Sequence, residues 1–161
     1  MDRKTMLALA GALWLVAAVP AGAQVVTLKG VMGESKIVSA QAFAAMPHAT
    51  VTASEHGRSA AYDGVPLSAL TALVGAPQGE ALRGPAMADI VVVTAADGYR
   101  VALSLAETDP AVRADRIILA DRADGHPLDA REGPYRLVVE GDKRPARSAR
   151  NVQSIEVRAA P

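Results

Sequence analysis

Pairs of turn-forming residues cut the second half of this chain into short apolar runs, and this spacing is the strongest constraint on its fold. Asp97-Gly98, Asp124-Gly125 and Gly141-Asp142 are such pairs, and Gly133-Pro134 is another. Aspartate and glycine tolerate the backbone angles of tight hairpins. Between the pairs, residues 90–94 form a continuous β-branched run, which is typical of a strand covered on both faces. The pattern predicts one compact α+β domain with a mixed or antiparallel sheet and short peripheral helices.

Two short helices and several strands are predicted around these turns. Ser39 is a candidate N-cap for a helix over residues 40–46. Pro66 stands at the first position of a second helix, where its missing N–H group has no partner to lose. A polar loop is expected at residues 54–59 and a turn at residues 62–64. The predicted strands cover residues 25–28, 49–53, 90–94, 99–103, 116–120, 135–139 and 152–157.

The first 23 residues have the layout of a secretory signal peptide. A net-positive start precedes an apolar run over residues 6–19, and Ala21-Gly22-Ala23 forms an A-x-A cleavage site. The run is too short to cross a bilayer, which needs about 20 apolar residues. We therefore expect cleavage after Ala23 and a periplasmic or secreted domain of residues 24–161 with no membrane span. A retained signal anchor is the alternative.

Composition excludes several functional classes. The chain contains no cysteine, which rules out disulfides, thiolate zinc sites, Fe–S clusters and cysteine nucleophiles. Its 17 basic and 17 acidic residues balance, which argues against nucleic-acid binding. Only 3% of the residues are aromatic, so we expect an aliphatic core and no stacking platform for bases or sugars.

Four motifs follow one another along the chain. They are Y-D-G-V-P-L-S-A-L at 62–70, A-D-G-Y at 96–99, L-A-D-R-A-D-G-H-P-L at 119–128 and G-P-Y-R-L-V-V-E-G-D-K-R-P-A-R-S-A-R at 133–150. In this order and spacing they resemble the oxidoreductase molybdopterin-binding domain family of the sulfite oxidase type. The resemblance implies that family's α+β fold, with a cleft for a molybdopterin cofactor at the loop ends.

Two departures from the family pattern bear on catalysis. In catalytic members a cysteine just before the G-V-P-L step supplies the thiolate ligand of molybdenum, whereas residues 51–57 read V-T-A-S-E-H-G. Serine or histidine does not reproduce the bonding of a thiolate to an oxo-molybdenum centre. Glu140 and either Ser148 or Asn151 stand where the family has proline and tryptophan, which places a carboxylate near the implied anion site. The sequence therefore predicts loss of oxygen-atom transfer.

A basic segment carries the candidate ligand-binding residues. Lys143, Arg144, Arg147 and Arg150 lie close together on a predicted helical turn, and Arg136 is on the preceding strand. Arginine binds phosphate bidentately, which suits a pterin phosphate or another anionic ligand. The resemblance implies that Arg147 and Arg150 hold the phosphate of the cofactor. The alternative is a solvated basic patch balanced by nearby carboxylates.

His56 and Arg58 are the remaining candidates for ligand binding. Both lie in the predicted loop after the second strand, where the resemblance implies that the cleft opens. No H-x-H or H-x-x-x-H pair is present, so no metal site is predicted. His48 and His126 each stand next to a proline and are expected at the surface.

Three functions remain open at this stage. They are a non-catalytic periplasmic module that binds or senses a small anionic ligand, a molybdopterin-dependent oxidoreductase, and a structural or interaction protein. The sequence favours the first. A membrane sensor protein is one partner expected for such a module, and no nucleic-acid partner is expected. The leader has Arg3-Lys4 but no consecutive arginines, so it predicts export of an unfolded chain. An unfolded chain cannot carry a bound pterin, and the mature protein is therefore expected to have no cofactor.

Overall fold

The computed structural model describes residues 24–55 and 57–160, so the predicted signal peptide and His56 lie outside the described residues. The described part contains ten strands and two short α-helices. The strands are β1 (Val25–Lys29), β2 (Ser35–Ser39), β3 (Ala49–Glu55), β4 (Arg58–Pro66), β5 (Ile90–Ala95), β6 (Arg100–Ser104), β7 (Ile117–Ala123), β8 (His126–Pro127), β9 (Arg136–Val139) and β10 (Val152–Arg158). The helices are α1 (Ala40–Ala44) and α2 (Leu67–Ala72).

The strands form two five-stranded sheets. The first has the order β2-β1-β10-β5-β6, and the second has the order β3-β4-β7-β8 with β9 also paired to β7. Among the described pairs, β1 with β10 is parallel and the others are antiparallel. The mixed, largely antiparallel α+β architecture with short helices confirms the fold class predicted from the turn spacing.

The main core lies between the inner faces of the two sheets. Val26 and Val93 of the first sheet belong to the same buried cluster as Leu119 and Leu137 of the second. Full burial of an aliphatic side chain of this size contributes about 1.5–3 kcal/mol. A smaller cluster on the other face of the second sheet includes Tyr62 and helps to hold the β3–β4 hairpin on β7.

The predicted turn at residues 62–64 is wrong, and the predicted loop at residues 54–59 is too long, because β3 extends to Glu55 and β4 begins at Arg58. β3 and β4 form one long hairpin, and β4 runs straight through residues 62–64. Gly64 packs against β7, where an added Cβ would collide with the carbonyl oxygen of Leu119. The register of the β4–β7 ladder also shifts beside this glycine. The Asp-Gly pair here therefore permits close strand approach and a bulge rather than a turn.

The cap predicted at Ser39 is confirmed, but three strands, β2, β4 and β8, escaped prediction. The Ser39 hydroxyl accepts a hydrogen bond from the Ala42 N–H at 3.2 Å, which satisfies one orphan donor of α1. β2 is an edge strand in which only Val38 is buried. Its sequence lacks the alternating hydrophobicity that predicts a strand, and it was therefore missed. No helix in the part of the chain that the structure describes is long and apolar enough to span a membrane.

Candidate functional site

Three chain segments enclose a cleft at one end of the domain. They are the tip of the β3–β4 hairpin, the β5–β6 turn and residues 145–151. One cavity of about 400 Å³ lies between the turn and residues 145–151, and another of about 540 Å³ lies against β4. Glu55 and Arg150 line both cavities, so the two cavities adjoin at this ion pair, and we refer to them together as the cleft.

The cleft extends further along the end of the domain. Ala96 and Asn151 line the first cavity and also a neighbouring one of about 400 Å³, which reaches Gln24 and Gln153. The lining of this neighbouring cavity is uncharged and includes the amides of Gln24, Asn151 and Gln153 among apolar residues, whereas the opposite end carries Arg58 and Arg150. The whole groove therefore has a charged end and a neutral, hydrogen-bonding end.

The β5–β6 turn holds the wall of the first cavity in place. Gly98 has a φ of 85°, and the Asp97 carboxylate accepts a hydrogen bond from the Tyr99 N–H at 2.9 Å. Tyr99 is half-exposed, and its hydroxyl donates to the Ala146 carbonyl at 2.6 Å. The hairpin turn expected at Asp97-Gly98 is therefore confirmed, and its tyrosine ties the turn to the basic segment.

Residues 145–151 form the opposite wall. The predicted helical turn is present only as a three-residue 3₁₀ helix, Pro145–Arg147. Asn151 adopts a positive φ of 52°, its carbonyl accepts from the Ala96 N–H at 2.9 Å, and its side-chain amide donates to the Arg131 carbonyl at 2.9 Å. These bonds fix the wall against β5 and bring Arg150 to the cleft.

A buried arginine lies beneath the cleft. Arg136 on β9 is 2% exposed and donates from Nη1 to the Tyr62 hydroxyl at 2.9 Å. It also forms ion pairs with Glu132 at 2.6 Å and with Glu55 at 2.8 Å. Its carbon Cζ stands 4.9 Å from the centre of the Tyr62 ring, a cation–π distance.

The packing around Arg136 and Tyr62 shifts the pKa of both groups. Burial by itself lowers the pKa of Arg136, but the hydrogen bond to Glu55 and the neighbouring Tyr62 and Glu132 outweigh it and raise the pKa. Burial is the main cause that raises the pKa of Tyr62 above its usual value of 10.0. Both groups therefore keep the proton that they carry at neutral pH, and Arg136 stays charged.

Glu55 joins Arg136 to Arg150. It is the last residue of β3, its Oε2 contacts Arg136, and its Oε1 accepts from Arg150 Nη2 at 2.5 Å. Glu132 lies 3.9 Å from the same Arg150 nitrogen. We refer to Glu55, Glu132, Arg136 and Arg150 as the arginine–glutamate cluster. It contains two cations and two anions, and its charge is balanced.

The other predicted cations occupy different surroundings. Arg147 forms a bidentate pair with Asp142, at 2.6 and 2.9 Å, and contacts Glu107 at 3.3 Å. The hydrogen bond to Asp142 is the main cause that raises the pKa of Arg147.

Arg147 is not among the residues lining the cleft, and Lys143 and Arg144 are exposed beside it. The structure thus brings Arg58, Arg136 and Arg150 together and holds Arg147 away from them; His56 falls outside the described residues.

Three residues of the site were not selected from the sequence. Glu55 and Tyr62 contact the predicted cation Arg136, and Tyr99 bonds to the Ala146 carbonyl of the basic segment. Each is nevertheless an ordinary strand or turn residue in sequence. A usable signal for Glu55 was its position at the end of a strand whose partner begins with Arg58, directly opposite in register. No comparable local signal linked Tyr62 to Arg136, because that contact depends on the order of strands in the second sheet.

Comparison with known proteins identifies the family. Residues 16–161 match the family model described as the oxidoreductase molybdopterin binding domain. Because the match spans most of the chain, the protein belongs to this family. The match begins within the residues predicted as a signal peptide.

A solved structure shares the fold. The domain is similar to the sulfane dehydrogenase SoxCD from Paracoccus pantotrophus, with a TM-score of 0.65 and 19% sequence identity. The similarity covers 84% of this chain but only 38% of the SoxCD chain, so this protein corresponds to a minor part of that enzyme. None of the curated proteins matches this chain.

The prediction that the protein has no cofactor is contradicted by these findings. The family is described by its molybdopterin binding, and membership therefore implies a cofactor. That prediction took the missing cysteine as evidence that the whole cofactor is absent. A cysteine thiolate contacts only the metal, whereas the pterin and its phosphate depend on hydrogen bonds and cations. The second argument, from the leader, rests on residues outside the described part of the chain.

The cleft fits the organic part of molybdopterin. Arg58 and Arg150 offer guanidinium donors for a phosphate, and Asp97 and Asn151 offer hydrogen-bonding groups for a heterocycle. The chain contains no cysteine to ligate the metal. Within residues 24–55 and 57–160 there is also no group of three or more histidine, aspartate or glutamate side chains suited to a metal ion. The residues therefore fit the pterin and phosphate and provide no thiolate for molybdenum.

Proposed function

We propose that this protein is an exported binding module that holds a molybdopterin-type ligand by its anionic phosphate, without performing oxygen-atom transfer of the sulfite oxidase type. The observation that carries the proposal is the position of Arg150, whose side chain lines both cavities of the cleft. The guanidinium group at that junction pairs with Glu55 but is 45% exposed, so an elongated ligand could reach its remaining donors from either side. Arginine is well suited to bind phosphate because its fork of N–H donors matches two oxygens at once.

The charge pattern of the groove supports a ligand with two different ends. Arg58 and Arg150 would bind the phosphate, and the amide-lined end near Asn151 and Gln153 would hydrogen-bond the edge of a neutral heterocycle. Tyr99 would bound the ligand between these ends, since its ring forms part of the wall. When bound, a molybdenum-loaded pterin supplies two-electron redox chemistry at the metal. This chain would position and shield the pterin and its phosphate.

A molybdopterin-dependent oxidoreductase is the second candidate. It is favoured by the family itself and by the similarity to a protein named as a dehydrogenase. The absence of cysteine from the sequence weighs against it, because the metal would lack its thiolate. The two candidates differ in a measurable way, since only the enzyme requires stoichiometric molybdenum and turnover with a sulfur substrate.

The test is to express the full chain with its leader in a bacterial host that makes molybdopterin and to analyse the exported protein. Pterin is measured after oxidation to its fluorescent product, and molybdenum is measured by mass spectrometry. We expect pterin at close to one per chain in the wild type and at least a tenfold loss in Arg150→Ala, because one guanidinium–phosphate contact is worth roughly 1.5–3 kcal/mol.

Lys143→Ala is the matched control, since it removes an exposed cation of the same segment that does not line the cleft. It should retain the wild-type pterin content. Wild-type protein without pterin would contradict the proposal, and stoichiometric molybdenum with turnover would favour the oxidoreductase. The intact mass of the same sample tests export, because cleavage after Ala23 leaves Gln24 as the first residue.

A further inference from the structure

The Glu55 carboxylate stands where an oxyanion would bind between two guanidinium groups. Its Oε2 is 2.8 Å from Arg136 and its Oε1 is 2.5 Å from Arg150. A phosphate or sulfate bound between two arginines would place its oxygens in the same way. The protein therefore contains an oxyanion position that one of its own carboxylates already fills.

Arg136 keeps hydrogen-bonding capacity in this arrangement. It is 2% exposed, and its Nε is a buried donor with no hydrogen-bond partner among the described residues. Its Nη1 is already used by Tyr62 and Glu132. A tetrahedral oxyanion has more acceptor oxygens than a carboxylate, so it can engage more of the arginine's donors than Glu55 does.

Removing Glu55 from this position does not leave a buried charge without compensation. Glu132 remains 2.6 Å from Arg136 and 3.9 Å from Arg150. Without Glu55, the cluster of Arg136, Arg150 and Glu132 has a net charge of +1 and attracts an anion. Removing every partner of a buried arginine is costly, and this cost makes such ion pairs hard to break. Arg136 avoids it because Glu132 stays beside it.

The location of Glu55 allows its side chain to move. It ends β3 at the tip of the hairpin, two positions before Gly57 with its φ of 79°, and its side chain is 21% exposed. Arg150 is more exposed, at 45%. A rotation about the side-chain bonds of Glu55 would carry the carboxylate into solvent, and it would leave the core residues of the hairpin in place.

We propose that Glu55 is a built-in competitor for an oxyanion site formed by Arg136, Arg150 and the Tyr62 hydroxyl. A ligand binds there by displacing the Glu55 carboxylate. Because it must outcompete a carboxylate with one negative charge, the site selects phosphate monoesters, which carry up to two negative charges near neutral pH, over carboxylates. This inference rests on the proposed function and extends it, since the phosphate held by Arg58 and Arg150 in the cleft gains Arg136 once it takes the position of Glu55.

The test measures binding of inorganic phosphate and of acetate by calorimetry to protein made in a host that cannot synthesise molybdopterin. Glu55→Gln removes the competing charge and keeps the shape of the side chain. We expect it to bind phosphate at least tenfold more tightly than the wild type and to gain affinity for acetate as well. Arg150→Ala added to Glu55→Gln should abolish the gain.

Glu132→Gln is the matched control, because it also removes a carboxylate from Arg136 but does not line the cleft. It should show no gain in phosphate affinity. If both glutamine variants gain equally, the effect is one of overall charge and the inference is wrong. Should Glu55→Gln fail to fold, Glu55→Asp, which is too short to reach both arginines, is expected to show a smaller gain. Unchanged affinity in whichever Glu55 variant folds would overturn the inference.

The two proposals fail separately. Pterin bound to the wild type, together with unchanged phosphate affinity in Glu55→Gln, leaves the proposed function standing and removes Glu55 as a competitor. Tight phosphate binding by Glu55→Gln, together with pterin-free wild-type protein, supports the competitor and removes the proposed function.

Discussion

At the scale of single residues, charge pairing decides which arginines are available to a ligand. Arg136 is buried and held by two glutamates and a tyrosine, whereas Arg150 shares one of those glutamates and faces the cleft. Arg147 is occupied by Asp142 and Glu107. The same residue type therefore serves as an interior anchor, as a cleft group and as part of a surface network. Sequence position alone does not distinguish these roles.

Arg136 is expected to be important for stability. Arg136→Met keeps most of the apolar volume but takes one cation from Glu55, which keeps its pair with Arg150, and the nearest cation from Glu132. Since both glutamates are partly exposed and can rehydrate in part, we expect a loss of about 2–4 kcal/mol in the free energy of unfolding. Urea denaturation measures it. Arg147→Met is the control, and its loss should stay below about 1 kcal/mol because its ion pairs are more exposed. Equal losses in the two variants would contradict this view of Arg136.

At the scale of secondary-structure elements, the β3–β4 hairpin links the core to the site. Its far end packs on β7 through Gly64, and its tip carries Glu55 and Arg58 into the cleft. Every residue of β3 from Ala49 to Glu55 has a partner on β4, so the register of this ladder fixes where the tip lies. A change at the β7 contact is therefore expected to affect both stability and the position of the site residues.

Gly64 provides the test at this scale. Gly64→Ala places a Cβ against the Leu119 backbone, which cannot move as a flexible side chain would. We expect a destabilisation of about 1–3 kcal/mol, typical of overpacking, measured by thermal or urea unfolding. Gly57→Ala at the hairpin tip meets no atom within 4 Å and has only the strain of a positive φ, so its effect should be smaller. The reverse order of the two effects would contradict the close-approach role of Gly64.

At the scale of the whole molecule, two sheets bury tyrosines on both sides of the second sheet. Tyr135 belongs to the core between the sheets, and Tyr62 belongs to the cluster on the outer face. Burial raises the pKa of both hydroxyls, and the nearby Asp121 raises that of Tyr135 further. The folded protein thus favours the protonated form of both residues. Its free energy of unfolding is therefore expected to fall as the pH becomes alkaline.

The direction of this dependence follows from linkage. A raised pKa in the folded state means that the stabilisation is complete below the ordinary tyrosine value of 10.0 and is lost as the pH rises towards the folded-state pKa. We expect the urea midpoint to fall between about pH 9.5 and 11, and to fall less steeply in Tyr135→Phe. Exposed Tyr99→Phe is the control and should follow the wild type. A midpoint independent of pH over this range would contradict the burial of these hydroxyls.

The sequence by itself determined the turn spacing, most strand positions, the α-helix cap at Ser39, the resemblance to the molybdopterin-binding family and the lack of a thiolate. These features are local or compositional, so periodicity and residue chemistry suffice to read them. Tertiary structure alone decided that Gly64 permits close strand packing and that Glu55 meets Arg136 across 81 positions of sequence. Such contacts depend on sheet order and register, which bring together residues that no local pattern relates. The same physical reason made the cofactor prediction fail, because one missing ligand says nothing about the distant groups that bind the rest of the cofactor.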